Sequence, residues 1–266
     1  MLFLVLSLLS LLLLSMTIFG NNAPSPLRTS MKQIYKAIGK GHTIITGLTQ
    51  YGKTTLAITL LKQRAIFDGR TNPVFIFLDT KHDDSLLPHG FLVNNIMDLR
   101  YHVDNKDARI IYRPPGTNER KKHLTDIVNC LFEYKERASH KNTPFLLFVD
   151  ELQLYAGKMA HHEGLERLAT TGAGKGILGV FLAQRLQDIH EQTLSQCNNT
   201  IVFYMRERPE YLKSRNLTAL IQWMDWLKER QDELKQFRKQ PSFASVWPFE
   251  RHISTISQHK FGQGDE

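Results

Sequence analysis

The stretch that most constrains this chain is His42-Thr43-Ile44-Ile45-Thr46 running into Gly47-Leu48-Thr49-Gln50-Tyr51-Gly52-Lys53-Thr54-Thr55. A short apolar run, a G-x-x-x-x-G-K-[ST] loop and a helix-prone segment, Leu56 to Ile66, follow in the order of a phosphate-binding loop set between a strand and a helix. Gly47 and Gly52 permit φ values that turn backbone N–H groups inward, and a helix N-terminus adds a dipole favourable to an anion. The expected ligand is ATP with Mg²⁺, cradled by residues 47–55. In that arrangement Lys53 reaches the β- and γ-phosphates and the Thr54 hydroxyl ligates the metal.

A loop of this kind sits on a sheet, and further apolar runs are present to build one. Val74-Phe75-Ile76-Phe77-Leu78 has the length and continuity of a buried parallel strand. It ends in Asp79-Thr80-Lys81-His82-Asp83, whose last four residues look like a guanine-reading motif. That motif follows the Mg²⁺-binding aspartate in the chains that use it; here it precedes Asp150, and no glycine follows in the expected place. The segment therefore reads as a polar strand end facing the site. Residues 82–107 read as polar and irregular, and 107–113 as a short strand closed by Pro114-Pro115-Gly116. Glu119 to Ala138 has the spacing of an amphipathic helix, with Leu124, Ile127, Val128, Leu131 and Phe132 on one face. Arg120, Lys121 and Lys122 at its start oppose the helix dipole and are assigned to a solvated face.

Thr143-Pro144-Phe145-Leu146-Leu147-Phe148-Val149-Asp150-Glu151 is the second informative stretch. An apolar central strand delivers its acids to the crevice where open α/β sheets bind ligands. Asp150 is expected to hold Mg²⁺ and Glu151 to act as general base toward the attacking water. A helical patch, Glu163 to Thr170, and a glycine turn, Gly172 to Gly176, lead into the apolar run Ile177–Ala183, which ends at Gln184-Arg185. An amide there can bond both the γ-phosphate and the nucleophilic water. His161-His162-Glu163 has a metal-like composition, but adjacent histidines point apart on a helix, so an exposed polar cluster is expected. A helix carrying residues 193–199 and a strand over 200–205 follow. Strands and helices alternate throughout, which predicts a mainly parallel sheet with helices on both faces.

With 266 residues there is room for one α/β domain with appendages. The net charge of +8 and pI near 9.4 favour a polyanionic partner. Cys130 and Cys197, the two cysteines, have no metal-ligand spacing and suggest neither a disulfide framework nor a zinc site. Met1 to Gly20 carries no charge and is almost wholly apolar, long enough as a helix to cross about 30 Å of hydrocarbon. The basic flank Arg28, Lys32, Lys36 and Lys40 then predicts a single-pass N-terminal membrane anchor with the bulk of the chain in the cytosol or a virion interior. Residues 21–41 read as a juxtamembrane linker and 42–212 as the core. The rest, 213–266, reads as a helical C-terminal tail, with Leu217, Leu220, Ile221, Met224, Leu227, Leu234 and Phe237 on one stripe.

The strand ending in Gln184-Arg185, the following Ile189, and Leu194-Ser195-Gln196-Cys197-Asn198 before a strand resemble the pattern of the HerA/FtsK superfamily of P-loop ATPases. The resemblance spans about residues 42–212, with the motifs in the family's order. A small, single ATPase core resembles the genome-packaging ATPases of tailless double-stranded DNA viruses with an internal membrane. The resemblance implies a RecA-like sheet of the ASCE type, in which the Gln184 strand lies between those bearing the phosphate loop and Asp150. It also implies a homo-oligomeric ring, sequence-independent translocation of double-stranded DNA, and capsid or membrane proteins as partners. The family's arginine in the turn before the glutamine strand is replaced here by Ala173. Candidates for a finger acting in trans are then Arg167, Lys175, Arg185 and Arg206. Alternatives with the same chemistry are a plasmid or cellular DNA-transfer ATPase and a filamentous-phage assembly ATPase. A different class is a membrane-tethered nucleotide-binding scaffold that does not hydrolyse ATP.

Overall fold

The computed structural model describes residues 31–49, 51–62, 73–116, 119–155, 162–215, 217, 218, 220, 221, 224, 227, 228, 242–247 and 250–255. Strands β1 (His42–Thr46), β2 (Val74–Leu78) and β5 (Phe145–Val149) are buried at every residue, as is β6 (Ile177–Ala183). Runs with no solvent-facing side are stable only in the middle of a sheet covered on both faces. With β3 (Phe91–Val93), β4 (Arg109–Tyr112), β7 (Cys197–Val202), β8 (Ser242–Trp247) and β9 (Glu250–Thr255) they form one sheet in the order β3-β4-β2-β5-β6-β1-β7-β8-β9. The seven strands from β3 to β7 in that order pair in parallel, and the last two run antiparallel.

Alternate residues of each strand feed two cores. Ile44, Ile76 and Leu147 point to one face, where α3 (Ile96–Asp104), α4 (Arg120–Glu136) and α5 (Glu163–Arg167) contribute Leu99, Leu131 and Leu165. Ile45, Phe77 and Phe148 point to the other, against α1 (Met31–Ile38) and α2 (Lys53–Leu61). The sheet is therefore three layers deep with helices on both faces, an α/β, RecA-like architecture, as the alternation of elements predicts. Register does the remaining work: Val149 lies opposite both Leu78 and Phe181, and Thr46 opposite Ala183. Asp79, Asp150, Gln184 and Gly47, each one residue further on, emerge at one C-terminal edge.

Several expectations need correction. No helix among the described residues is long and apolar enough to cross a membrane. Met1–Gly20 lies outside them, so the anchor, the membrane contact through it and the localisation built on it are withdrawn. Part of the supposed linker is core: α1 buries Ile34, Tyr35 and Ile38, and the Asn199 side chain donates to the Ala37 carbonyl at 3.0 Å, tying its end to β7. Residues 82–107 hold a 3-10 turn, β3 and α3. Phe91 and Leu92 face solvent from the sheet edge, which erased the alternation that marks a half-buried strand. Strand β7 starts at Cys197, inside the stretch read as helix, after a short α6 (Glu191–Ser195). The tail is not wholly helical, since β8 and β9 form a hairpin joined to β7. Of its apolar stripe, Leu220 and Leu227 are buried in the same core as α3, α4 and α5, with Leu217, Ile221 and Met224 packed against that core; Leu234 and Phe237 lie outside the described residues.

Candidate active site

The phosphate loop leaves β1 with Gly47 at φ 150° and enters α2 from Gly52 at φ 99°, backbone angles that side chains disfavour. At Gly47 a Cβ would come within 2.6 Å of the Phe203 Cβ. The loop is pinned to both neighbouring strands, since the Gly47 N–H donates to the Ala183 carbonyl at 3.2 Å and that of Leu48 to Tyr204 at 2.9 Å. Lys53 curls inward and is almost fully buried; its ammonium donates to the Gly47 and Leu48 carbonyls at 2.5 and 2.9 Å. Burial, with Lys81 nearby, brings its pKa down to about 8. Tyr51 packs against Tyr204, ring centroids 5.5 Å apart, and Gln50 lies outside the described residues. A cleft of about 340 Å³ opens at the loop, lined by Thr49, Gly52, Lys53, Thr54, Thr55, Lys81 and Asp83.

Asp150 and Glu151 stand at the end of β5. Burial pushes the Asp150 carboxyl up to about 6, against the pull of Lys81. Its backbone N–H donates to the Leu78 carbonyl, and its own carbonyl accepts from Thr80, whose hydroxyl also meets the Tyr155 hydroxyl at 2.7 Å. Glu151 adopts φ 51°, ψ 54°, a left-handed conformation uncommon outside glycine, which turns its side chain off the strand line. There its carboxylate is held three ways: it pairs with the Lys81 ammonium, accepts from Gln153, and accepts from Gln184 Nε2 at 3.3 and 3.2 Å. Burial raises its pKa, but the Lys81 and Gln184 contacts outweigh this and hold it below the usual range.

The structure thus brings Lys53, Thr54, Asp150, Glu151 and Gln184 to one edge of the sheet, with β6 between β1 and β5 as the resemblance implies. Sequence reasoning missed Lys81 and Gln153. Lys81 did carry a signal, since the polar end of its strand is expected to face the site. The donors fit a hydrated Mg²⁺ shared with phosphate: the buried Asp150 carboxylate lies 3.8 Å from Lys81, which lines the same cleft as Thr54, and these are too few ligands to cage a metal alone. Among the described residues no group of three His, Cys, Asp or Glu could hold a metal by itself. His162 is not exposed as expected. It is buried and caps α5, its Nδ1 accepting from the Leu165 N–H while Nε2 meets the Lys121 carbonyl at 2.9 Å.

The side chains of the four finger candidates make other contacts or face solvent. Arg167 donates to Asn129 at 2.6 Å and stacks 4.1 Å above Phe132; Lys175 pairs with Glu136 at 2.9 Å. Arg185 donates to the carbonyl of Arg206 at 3.1 Å, and the Arg206 side chain is exposed. Both cysteines are free thiols, pushed up to about 12 by burial.

No protein-family model matches the chain, and no curated protein sequence does. Solved structures match it in fold. The genome packaging NTPase B204 from Sulfolobus turreted icosahedral virus 2, in complex with ATP-gammaS, superposes with a TM-score of 0.62 at 14% identity, over 82% of this chain and 98% of its own. The same protein in complex with AMP gives 0.59 at 15%, over 82% and 98%. The crystal structure of B204, the DNA-packaging ATPase from Sulfolobus turreted icosahedral virus, gives 0.61 at 16%, over 84% and 100%. At such identities the likeness is one of fold, and it falls on a viral genome-packaging ATPase, where the sequence resemblance points.

Proposed function

We propose that this chain is an ATP-driven translocase of double-stranded DNA that packages a viral genome. The observation that carries the reading is the placement of Glu151 and Gln184 on adjacent strand ends beside Lys53. A module that only bound nucleotide would need neither. In the proposed reaction a water attacks the γ-phosphorus in line as Glu151 takes its proton; the bond to the bridging oxygen breaks, leaving ADP and phosphate. Lys53 exchanges the Gly47 and Leu48 carbonyls for phosphate oxygens, and Gln184 orients the water from beside Glu151. Thr54 and Asp150 would hold Mg²⁺, which would supply charge neutralisation on the phosphates.

The net charge of +8 supports a polyanionic partner bound through its phosphates, so binding should be sequence-independent and weaken steeply with salt. The ring that the family resemblance implies would let a neighbouring copy complete the site. The test is the ATPase rate of the full chain with and without double-stranded DNA, beside Lys53→Ala and Glu151→Gln. Stimulation by DNA that both substitutions abolish supports the motor. Nucleotide binding without turnover, and without response to DNA, overturns it.

A further inference from the structure

We propose that Lys81 is the residue by which this site tells a nucleoside triphosphate from a diphosphate, exchanging the Glu151 carboxylate for the terminal phosphate. The proposal rests on reading the cleft as a nucleotide site and adds to it a second, mobile phosphate-binding lysine. Lys81 stands just past β2, the strand beside β5. Its ammonium pairs with Glu151, lies 3.8 Å from Asp150 Oδ2, and borders the same cleft as Lys53 and Thr54.

The two partners differ in freedom to move. The Lys81 side chain is 41% exposed on a four-carbon stem, whereas that of Glu151 is 7% exposed and also accepts from Gln153 and Gln184. If the pair parts, the lysine is the half that swings. Without ligand, Lys53 and Lys81 face Asp150 and Glu151, and Asp83 also lines the cleft and draws Lys81. A terminal phosphate brings further negative charge into a half-buried space, where an ammonium is drawn to the stronger anion. A diphosphate ends short of Glu151 and leaves the pair closed.

The exchange also has a chemical consequence. A carboxylate whose oxygen is occupied by an ammonium is a poor proton acceptor, and the Lys81 pair occupies Glu151 in this way. Departure of Lys81 frees the base only when the phosphate to be attacked is present. This makes Lys81 a phosphate contact that also positions Glu151.

The experiment is equilibrium binding of AMPPNP and ADP, each with Mg²⁺, to the full chain by calorimetry, with circular dichroism to verify folding. Lys81→Met should weaken AMPPNP about tenfold and leave ADP within about twofold, and Lys81→Arg should restore most of the difference. Glu151→Gln frees Lys81 and should tighten AMPPNP several-fold, an effect that disappears in the Lys81→Met background. Equal loss for both nucleotides, or tightening by Glu151→Gln that persists without Lys81, overturns the exchange while leaving the nucleotide site standing. Wild-type protein that binds neither nucleotide overturns both readings.

Discussion

The Gln184 side-chain amide donates to both carboxylate oxygens of Glu151, at 3.3 and 3.2 Å, across the gap between the ends of β6 and β5. The contact exists because β6 is inserted between the strand carrying the phosphate loop and the strand carrying the acids. Any movement at the Gln184 strand end is therefore felt by the proposed base, and through Lys81 by the β2 end as well.

Gln184→Ala removes a hydrogen bond to a charged group, an interaction of about 1.5–3 kcal/mol. ATP turnover is expected to fall about ten- to a hundredfold, with KM changed less than about threefold, because the side chain positions the base and water more than the nucleotide. Steady-state kinetics settle the matter: a rise in KM with unchanged kcat would assign Gln184 to ground-state binding instead.

Gly47→Ala should damage the fold as well as the site. The residue sits at φ 150°, and its new Cβ would meet Phe203 at 2.6 Å where that residue's N–H is bound to the Thr46 carbonyl. Strain and overpacking together suggest a loss of about 2–5 kcal/mol. Denaturant unfolding should show a lowered midpoint, and nucleotide binding should be lost with it. A variant as stable as wild type would mean that the Phe203 backbone yields readily.

What was legible in advance was local. Gly47 to Thr55, the apolar run Phe145–Val149 with the two acids after it, and the strand before Gln184 each announce themselves within a dozen residues, because burial on both faces leaves a continuous apolar signature. The pairing of Lys81 with Glu151 joins residues 70 positions apart and depends on β2 lying beside β5, which no local pattern encodes. The same holds at the sheet edges. Phe91 and Leu92 face water, and Ser242–Trp247 pairs with β7 across some forty residues, so neither strand carries the signature of a buried one. The buried role of α1 was hidden by its short length and its lysines.

Phe148→Ala tests whether the core beneath the site governs its geometry. Phe148 and Phe77 are fully buried and stacked, ring centroids 5.6 Å apart, and Phe148 lies two residues before Asp150. Removal should cost about 3–5 kcal/mol and appear as a large drop in melting temperature. The surviving folded fraction should also turn over ATP more slowly, since the strand end can then shift. Loss of stability with undiminished turnover per folded molecule would show the edge to be anchored by its hydrogen bonds alone.

Asp150→Asn should stabilise the ligand-free protein near neutral pH, and the acid side of its stability curve should reveal His42. In the folded chain Asp150 binds its proton more tightly than when unfolded, about 6 against 3.8. Its contribution is most favourable below pH 3.8 and is lost as pH rises through 6; above that the buried ionised carboxylate costs about 1–3 kcal/mol. The asparagine variant escapes this, with a melting temperature higher by about 2–4 °C per kcal/mol, a gain that shrinks as pH falls from 6 toward 4. His42 runs the other way. Its buried ring accepts the Gly179 N–H at 2.8 Å through Nδ1, and burial brings its pKa down from 6.5 to about 4. The unfolded chain therefore takes up that proton first, and stability falls as pH drops from 6.5 to 4. In the wild type the two trends oppose each other between pH 4 and 6. In Asp150→Asn only the histidine's remains, so chemical denaturation at pH 7.5, 6.5, 5.5 and 4.5 should show a steeper decline than in the wild type. Parallel curves would mean that Asp150 is not held in the neutral-leaning state its burial imposes.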